Sequence, residues 1–166
     1  MSAIREPATT FIPAPAAIEA RVRAVLAGVA DPEIPVLSVL DLGVVREVEL
    51  GSDGTVRVAV SPTYSGCPAT AVIRRDIVRA LRAAGFEGAS ACDRISPPWT
   101  SDWISPEGHR KLREYGIAPP SADREVTCPR CGSAATRRLS EFGSTPCKAL
   151  YRCESCLEPF DRFKCH

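Results

Sequence analysis

The run VVREVEL, Val44 to Leu50, is followed by GSDG, Gly51 to Gly54, and then by TVRVAV, Thr55 to Val60. Two β-rich segments joined by a turn of Gly, Ser and Asp predict an antiparallel hairpin. In the first segment Val45, Val48 and Leu50 alternate imperfectly with Arg46, Glu47 and Glu49, the pattern of a half-exposed strand. Upstream, Ile18, Val22, Val25, Leu26 and Val29 recur at helical spacing and predict a helix over Ala16 to Val29. The prolines of Asp31-Pro32-Glu33-Ile34-Pro35 end it. Downstream, Val72, Ile73, Ile77, Val78 and Leu81 form the apolar side of a second helix over Pro68 to Ala84, with Arg74, Arg75, Arg79 and Arg82 opposite. Ala89 to Ile95 reads as a third strand that joins the same sheet. The expected fold class is therefore α+β, a small three-stranded mixed sheet with helices.

Beyond this unit, Ser96 to Trp103 is an irregular loop, and Ser105-Pro106-Glu107 opens a short helix through Tyr115, with Ser105 as N-cap and Pro106 in the first turn. Ala118-Pro119-Pro120-Ser121 has linker composition and predicts a domain boundary. Residues 1–15 read as a flexible tail without the basic start and apolar run of a secretory signal, which places the chain in the cytoplasm. At 166 residues the chain is too short for two full hydrophobic cores, so it divides into a larger unit over 16–118 and a smaller one over 122–166. A net charge of +1 without a basic stripe argues against nucleic acid as a partner, and no apolar run is long enough for a membrane span.

Eight cysteines in a reducing compartment are more often metal ligands or reactive thiols than disulfides. Cys128-Pro129-Arg130-Cys131 and Cys153-Glu154-Ser155-Cys156 are two C-x2-C knuckles whose separation fits a four-thiolate site. The smaller unit is thus expected to be a zinc-ribbon-like module holding one zinc ion, with iron as the other metal that four thiolates suit. Because so short a segment lacks a core, the metal should supply its stability, and damage on metal loss should stop at the linker. Cys147, Cys165 and His166 lie outside the knuckles. Cys147 reads either as a small buried residue or, beside Lys148, as a surface thiolate, while Cys165 and His166 read as a frayed tail or as extra ligands.

In the larger unit Cys67 precedes a helix, where unpaired backbone N–H groups and the helix dipole favour a thiolate. It reads equally as a small residue at a tight turn. Asp31 and Glu33 are candidate acidic neighbours, or simply carboxylates that cap the following turn. No Ser/His/Asp set or phosphate loop is present, and His109 sits in a charged helix, poorly placed to serve Cys67 as a base.

The segments Asp31-Pro32-Glu33-Ile34-Pro35, Asp41-Leu42-Gly43 and Thr63-Tyr64-Ser65-Gly66-Cys67-Pro68 together resemble the SufT-like family of iron–sulfur assembly domains over residues 16–118. Pro97 to Trp103, Phe142 to Leu150 and Glu158 to Asp161 extend the likeness to the PaaD family, the D proteins of bacterial phenylacetyl-CoA epoxidase systems. The resemblance implies a non-catalytic accessory protein that matures or repairs an iron or iron–sulfur centre of that system. Cys67 would be the cluster-handling thiol and Asp31 and Glu33 its neighbouring motif; a homodimer that shares the cargo across its interface is one way such a carrier could work. Its partners would be the oxygenase and reductase subunits; a non-catalytic scaffold role is the alternative.

Overall fold

A computed structural model describes residues 14–121 and 125–165. The tail expected over 1–15 falls almost wholly outside this range, and His166 lies outside it as well. The larger unit contains α1 (Pro15–Leu26), the hairpin β1 (Val45–Leu50) and β2 (Val56–Val60), α2 (Ala69–Ala83) and β3 (Ser90–Asp93). β1 pairs antiparallel and β3 parallel with β2, so the three-stranded mixed sheet forms as expected with β2 at its centre. Central placement explains why Val56, Val58 and Val60 are buried while β1 alternates toward solvent. On α2 the buried residues Ala69, Ile73, Ile77 and Leu81 fall four apart on one face, which closes over the sheet together with Val22 and Leu26 of α1.

α3 (Pro106–Tyr115) begins where the cap signal places it, with Ser105 Oγ accepting from the Gly108 N–H at 2.9 Å. It ends at Gly116 in the left-handed conformation, φ 94°. The Asp41-Leu42-Gly43 segment anchors this helix and its preceding loop. The Asp41 carboxylate accepts from Ser38 N–H at 2.9 Å and from Lys111 Nζ at 2.7 Å, and the Trp99 indole donates to the Leu42 carbonyl at 3.0 Å. Gly43 has φ 70°, and a Cβ there would overlap the Trp103 carbonyl.

β4 (Ile117–Ala118), β5 (Thr136–Ser140), β6 (Lys148–Cys153) and β7 (Pro159–Phe163) form a second sheet in the order β4-β7-β6-β5. The linker expectation is corrected here. Ile117 and Ala118 pair in parallel with Asp161 and Arg162, and Pro120 is buried, so the stretch is the edge of the second sheet rather than an exposed connector. The correction extends to the core. Ile117, Cys147 and Phe163 pack into the main hydrophobic cluster with Leu42, Trp99 and Leu112, while among the described residues the ribbon's own cluster is Ala118, Val126, Cys128, Cys153 and Phe160, flanked by Tyr151. Among the described residues, no helix is long and apolar enough to cross a membrane.

Candidate metal centre and thiol–carboxylate cavity

The first knuckle turns at Cys128–Cys131, where Gly132 donates its N–H to the Cys128 carbonyl at 2.9 Å and adopts φ 75°. The second turns between β6 and β7, where Leu157 takes the same left-handed position at φ 66°. A leucine is strained in that conformation, and without a glycine the left-handed residue itself carries no signal in the sequence. The two turns bring the sulfurs of Cys128, Cys131, Cys153 and Cys156 within 4.8 Å of one another, with Cys128 to Cys156 at 3.8 Å and Cys131 to Cys153 at 3.5 Å. Zn–S bonds of about 2.3 Å in a tetrahedron require sulfurs about 3.8 Å apart, so the set fits a single ion. The clustered thiols titrate as a set: Cys153 is held down to about 6, first by the Cys156 backbone N–H, while Cys156, against the Glu158 backbone bond that lowers it, is pushed up to about 12 by burial and by the neighbouring thiols. An ion here would cross-link the turn before β5 to the turn after β6 and leave no open position for chemistry.

The second constellation lies at the other end of β6, against the first sheet. Asp31, Glu33, Cys67 and Cys147 line one enclosed cavity of about 20 Å³, together with Thr63, Thr70 and the apolar side chains of Ile34, Val60, Ile73 and Phe163. That volume admits one or two water-sized occupants. Asp31 is 5% exposed, and its Oδ1 accepts from the N–H groups of Glu33 at 2.9 Å and Ile34 at 2.7 Å. The capping role and the cavity position thus coexist in one carboxylate. Burial pushes the Asp31 carboxyl up, against the backbone bonds that lower it. Glu33 is raised by burial and then by the nearby Asp31. The Tyr64 phenol is pushed up to about 12, by burial first and then by Cys67 beside it. Cys67 itself precedes α2, its carbonyl accepting from the Thr70 N–H at 3.2 Å, and it also lines an outer groove with Ser65, Gly66, Arg74 and Ile95.

Cys147 departs from the surface-thiolate reading. It is 4% exposed, its sulfur 3.0 Å from Thr145 Oγ1 and 3.9 Å from Glu33 Oε2, and burial pushes its thiol up despite Lys148 next to it. Cys165 is exposed and stands apart from both sites, 3.5 Å from the Ser121 carbonyl. His109 lines a different hollow with Pro119, Pro120 and Thr127, remote from the cavity that holds Cys67.

The pKa direction at Asp31 has a measurable consequence. An acid whose folded pKa is raised favours the folded state only while neutral, that is, below the unfolded value of 3.8. The benefit is lost as pH rises through the folded value. Asp31→Asn retains an oxygen for the two backbone N–H groups and removes the buried charge. Its Tm at neutral pH is expected to equal or exceed that of the parent, with the gain shrinking as pH falls through the window above 3.8. A drop of several degrees at neutral pH would mean that the ionised carboxylate is structurally required.

Two families match the chain in succession: one described as iron–sulfur cluster assembly protein over residues 19–90, and one described as PaaD zinc beta ribbon domain over residues 114–164. An Escherichia coli protein, provisionally named as the D component of 1,2-phenylacetyl-CoA epoxidase, is 50% identical over 149 residues, covering 86% of this chain and 90% of its own. The chain belongs to the PaaD family. Its first unit is also 36% identical over 83 residues to a protein of Porphyromonas gingivalis named Fe-S protein maturation auxiliary factor, covering 49% of this chain and 78% of that one. The crystal structure of a domain of unknown function from Bacillus anthracis superposes with a TM-score of 0.55 at 25% identity, over 58% of this chain and 92% of that chain. The PaaD family thus joins an iron–sulfur assembly domain to a metal-binding ribbon, and the four clustered cysteines fall in the ribbon half.

Proposed function

We propose that this chain is a non-catalytic, cytoplasmic accessory factor that loads or repairs the iron or iron–sulfur centre of a phenylacetyl-CoA epoxidase, handling the metal at Cys67 with Asp31 and Glu33. The observation that carries this reading is the convergence of Cys67, Asp31 and Glu33 on one small cavity in the unit matched by iron–sulfur assembly proteins. A thiol and two carboxylates mix soft and hard donors, a set that accepts ferrous iron without selecting it tightly. Cys67 lies between the enclosed cavity and the outer groove, a position from which a held ion can pass to a client. The ribbon's four cysteines would hold zinc as a structural ion.

Anaerobic reconstitution with ferrous iron tests this reading. The parent chain should retain iron and transfer it to iron-depleted epoxidase, and Cys67→Ser should retain about tenfold less. The assignment fails if neither protein binds iron or if both bind it identically. The name of the Escherichia coli relative, as a component of the epoxidase, favours a second reading, a scaffold that stays bound to oxygenase and reductase. Fixed-ratio co-purification, and loss of activity when the chain is removed from mature enzyme, would select it.

A further inference from the structure

Cys147 plays no part in that reading, whose thiol and carboxylates all come from the first unit. It sits immediately before β6 of the ribbon, yet it packs into the core of the first unit and lines the same cavity as Cys67 and Asp31. Its sulfur faces Glu33 Oε2 at 3.9 Å. The buried Tyr64 hydroxyl lies beside Cys67 and makes no hydrogen bond of sound geometry. Apolar side chains would fill this space without electrostatic cost, so a set of two thiols and two carboxylates implies a ligand that uses them.

We infer that Cys147 is the ribbon's ligand to the cargo metal: one ferrous ion binds between the two units, held by Cys67, Cys147 and the Glu33 carboxylate, with Asp31 adding negative charge beside it. This rests on the reading of Cys67 as an iron-handling thiol and adds that the ribbon completes the site. The cavity's size suits a single ion. Among the described residues, only the four ribbon cysteines form a group of three or more with all ligand atoms within 4.8 Å of one another, so the cavity set, in which Cys147 and Glu33 are already that close, must draw tighter around its ion. Lys148, 4% exposed and 3.6 Å from Asp161, also bears on Asp31 and Glu33. Its positive charge opposes a dication, which weakens binding and suits release to a client. As the ion enters, the two thiols give up their protons to solvent, so no oxidant or reductant is needed.

Cobalt(II) is the probe, titrated without air into full-length chain whose ribbon is filled with zinc, which zinc keeps by its higher affinity. The parent should take up cobalt with thiolate charge-transfer absorption. Cys147→Ser should keep its zinc, bind cobalt about tenfold more weakly and show roughly half the absorption per bound ion. Glu33→Gln should weaken binding and leave that absorption per ion unchanged. If Cys147→Ser matches the parent while Cys67→Ser loses the band, the inference is overturned and the Cys67 reading stands. If the parent takes up no cobalt beyond the ribbon site, both are overturned. Should Cys147→Ser prove unstable, the parent decides: charge-transfer absorption per bound cobalt at the level of one thiolate rather than two assigns Cys147 to packing alone and overturns the inference.

Discussion

Cys153→Ser is expected to release about one zinc per chain and to unfold the half of the ribbon that has no other support. A structural four-thiolate site contributes about 10–16 kcal/mol to the folding of small zinc modules. Against this the ribbon's own apolar cluster is a handful of side chains, and β5 is exposed along nearly its whole length. Neither can hold the module without the ion. The loss should be graded along the sequence. Hydrogen exchange should become fast from Cys128 to Ser140 and around Cys153 to Cys156. The end of β7, pinned by Phe163 in the main core, should keep part of its protection. Because that core is shared, protection should also fall around Trp99, whose ring lies 6.0 Å from that of Phe163. Cys165→Ser should retain the metal. Unchanged exchange over Cys128 to Ser140 after chelation would refute the dependence on metal.

The elements of the first unit were legible because their signals are local. The four-residue spacing of Ile73, Ile77 and Leu81 gives the buried face of α2, and Ser105 and Pro106 mark the start of α3 by their own backbone chemistry. The two knuckles are local as well, each a tight turn with a fixed spacing of thiols. What was not legible depends on packing across long sequence separations. Nothing near Cys147 announces that it ends beside Glu33, 114 residues away, or that Lys111 meets Asp41 across 70 residues. The sign of the Cys147 thiol's shift follows from that burial: Lys148 alone argued for a thiolate, and enclosure outweighs it. Pro119 and Pro120 gave the stretch a linker composition, yet the two-residue strand before them is long enough to join a sheet edge and too short to leave a pattern.

Phe163→Ala separates a ribbon that is merely tethered from one that is built into the fold. The side chain is 1% exposed, lies opposite Lys148 in the β6–β7 register, meets Trp99 at an interplanar angle of 53° and lines the thiol–carboxylate cavity. Truncating a buried phenylalanine costs about 3–5 kcal/mol, a large share of the roughly 5–15 kcal/mol that holds a domain of this kind together. A fall in Tm of about 6–20 °C is therefore expected. The knuckles do not depend on this residue, since Phe160 stacks on Tyr151 at 5.9 Å within the ribbon's own cluster, so zinc content should be unchanged. Binding at the cavity should weaken all the same, because Phe163 lines it and holds β7, the hydrogen-bonded neighbour of β6, against the first unit. Leu139→Ala, at a residue 44% exposed on β5, should leave both properties within experimental error. An iron affinity that survived Phe163→Ala intact would mean that Cys67 works without the ribbon, and that the shared core serves stability alone.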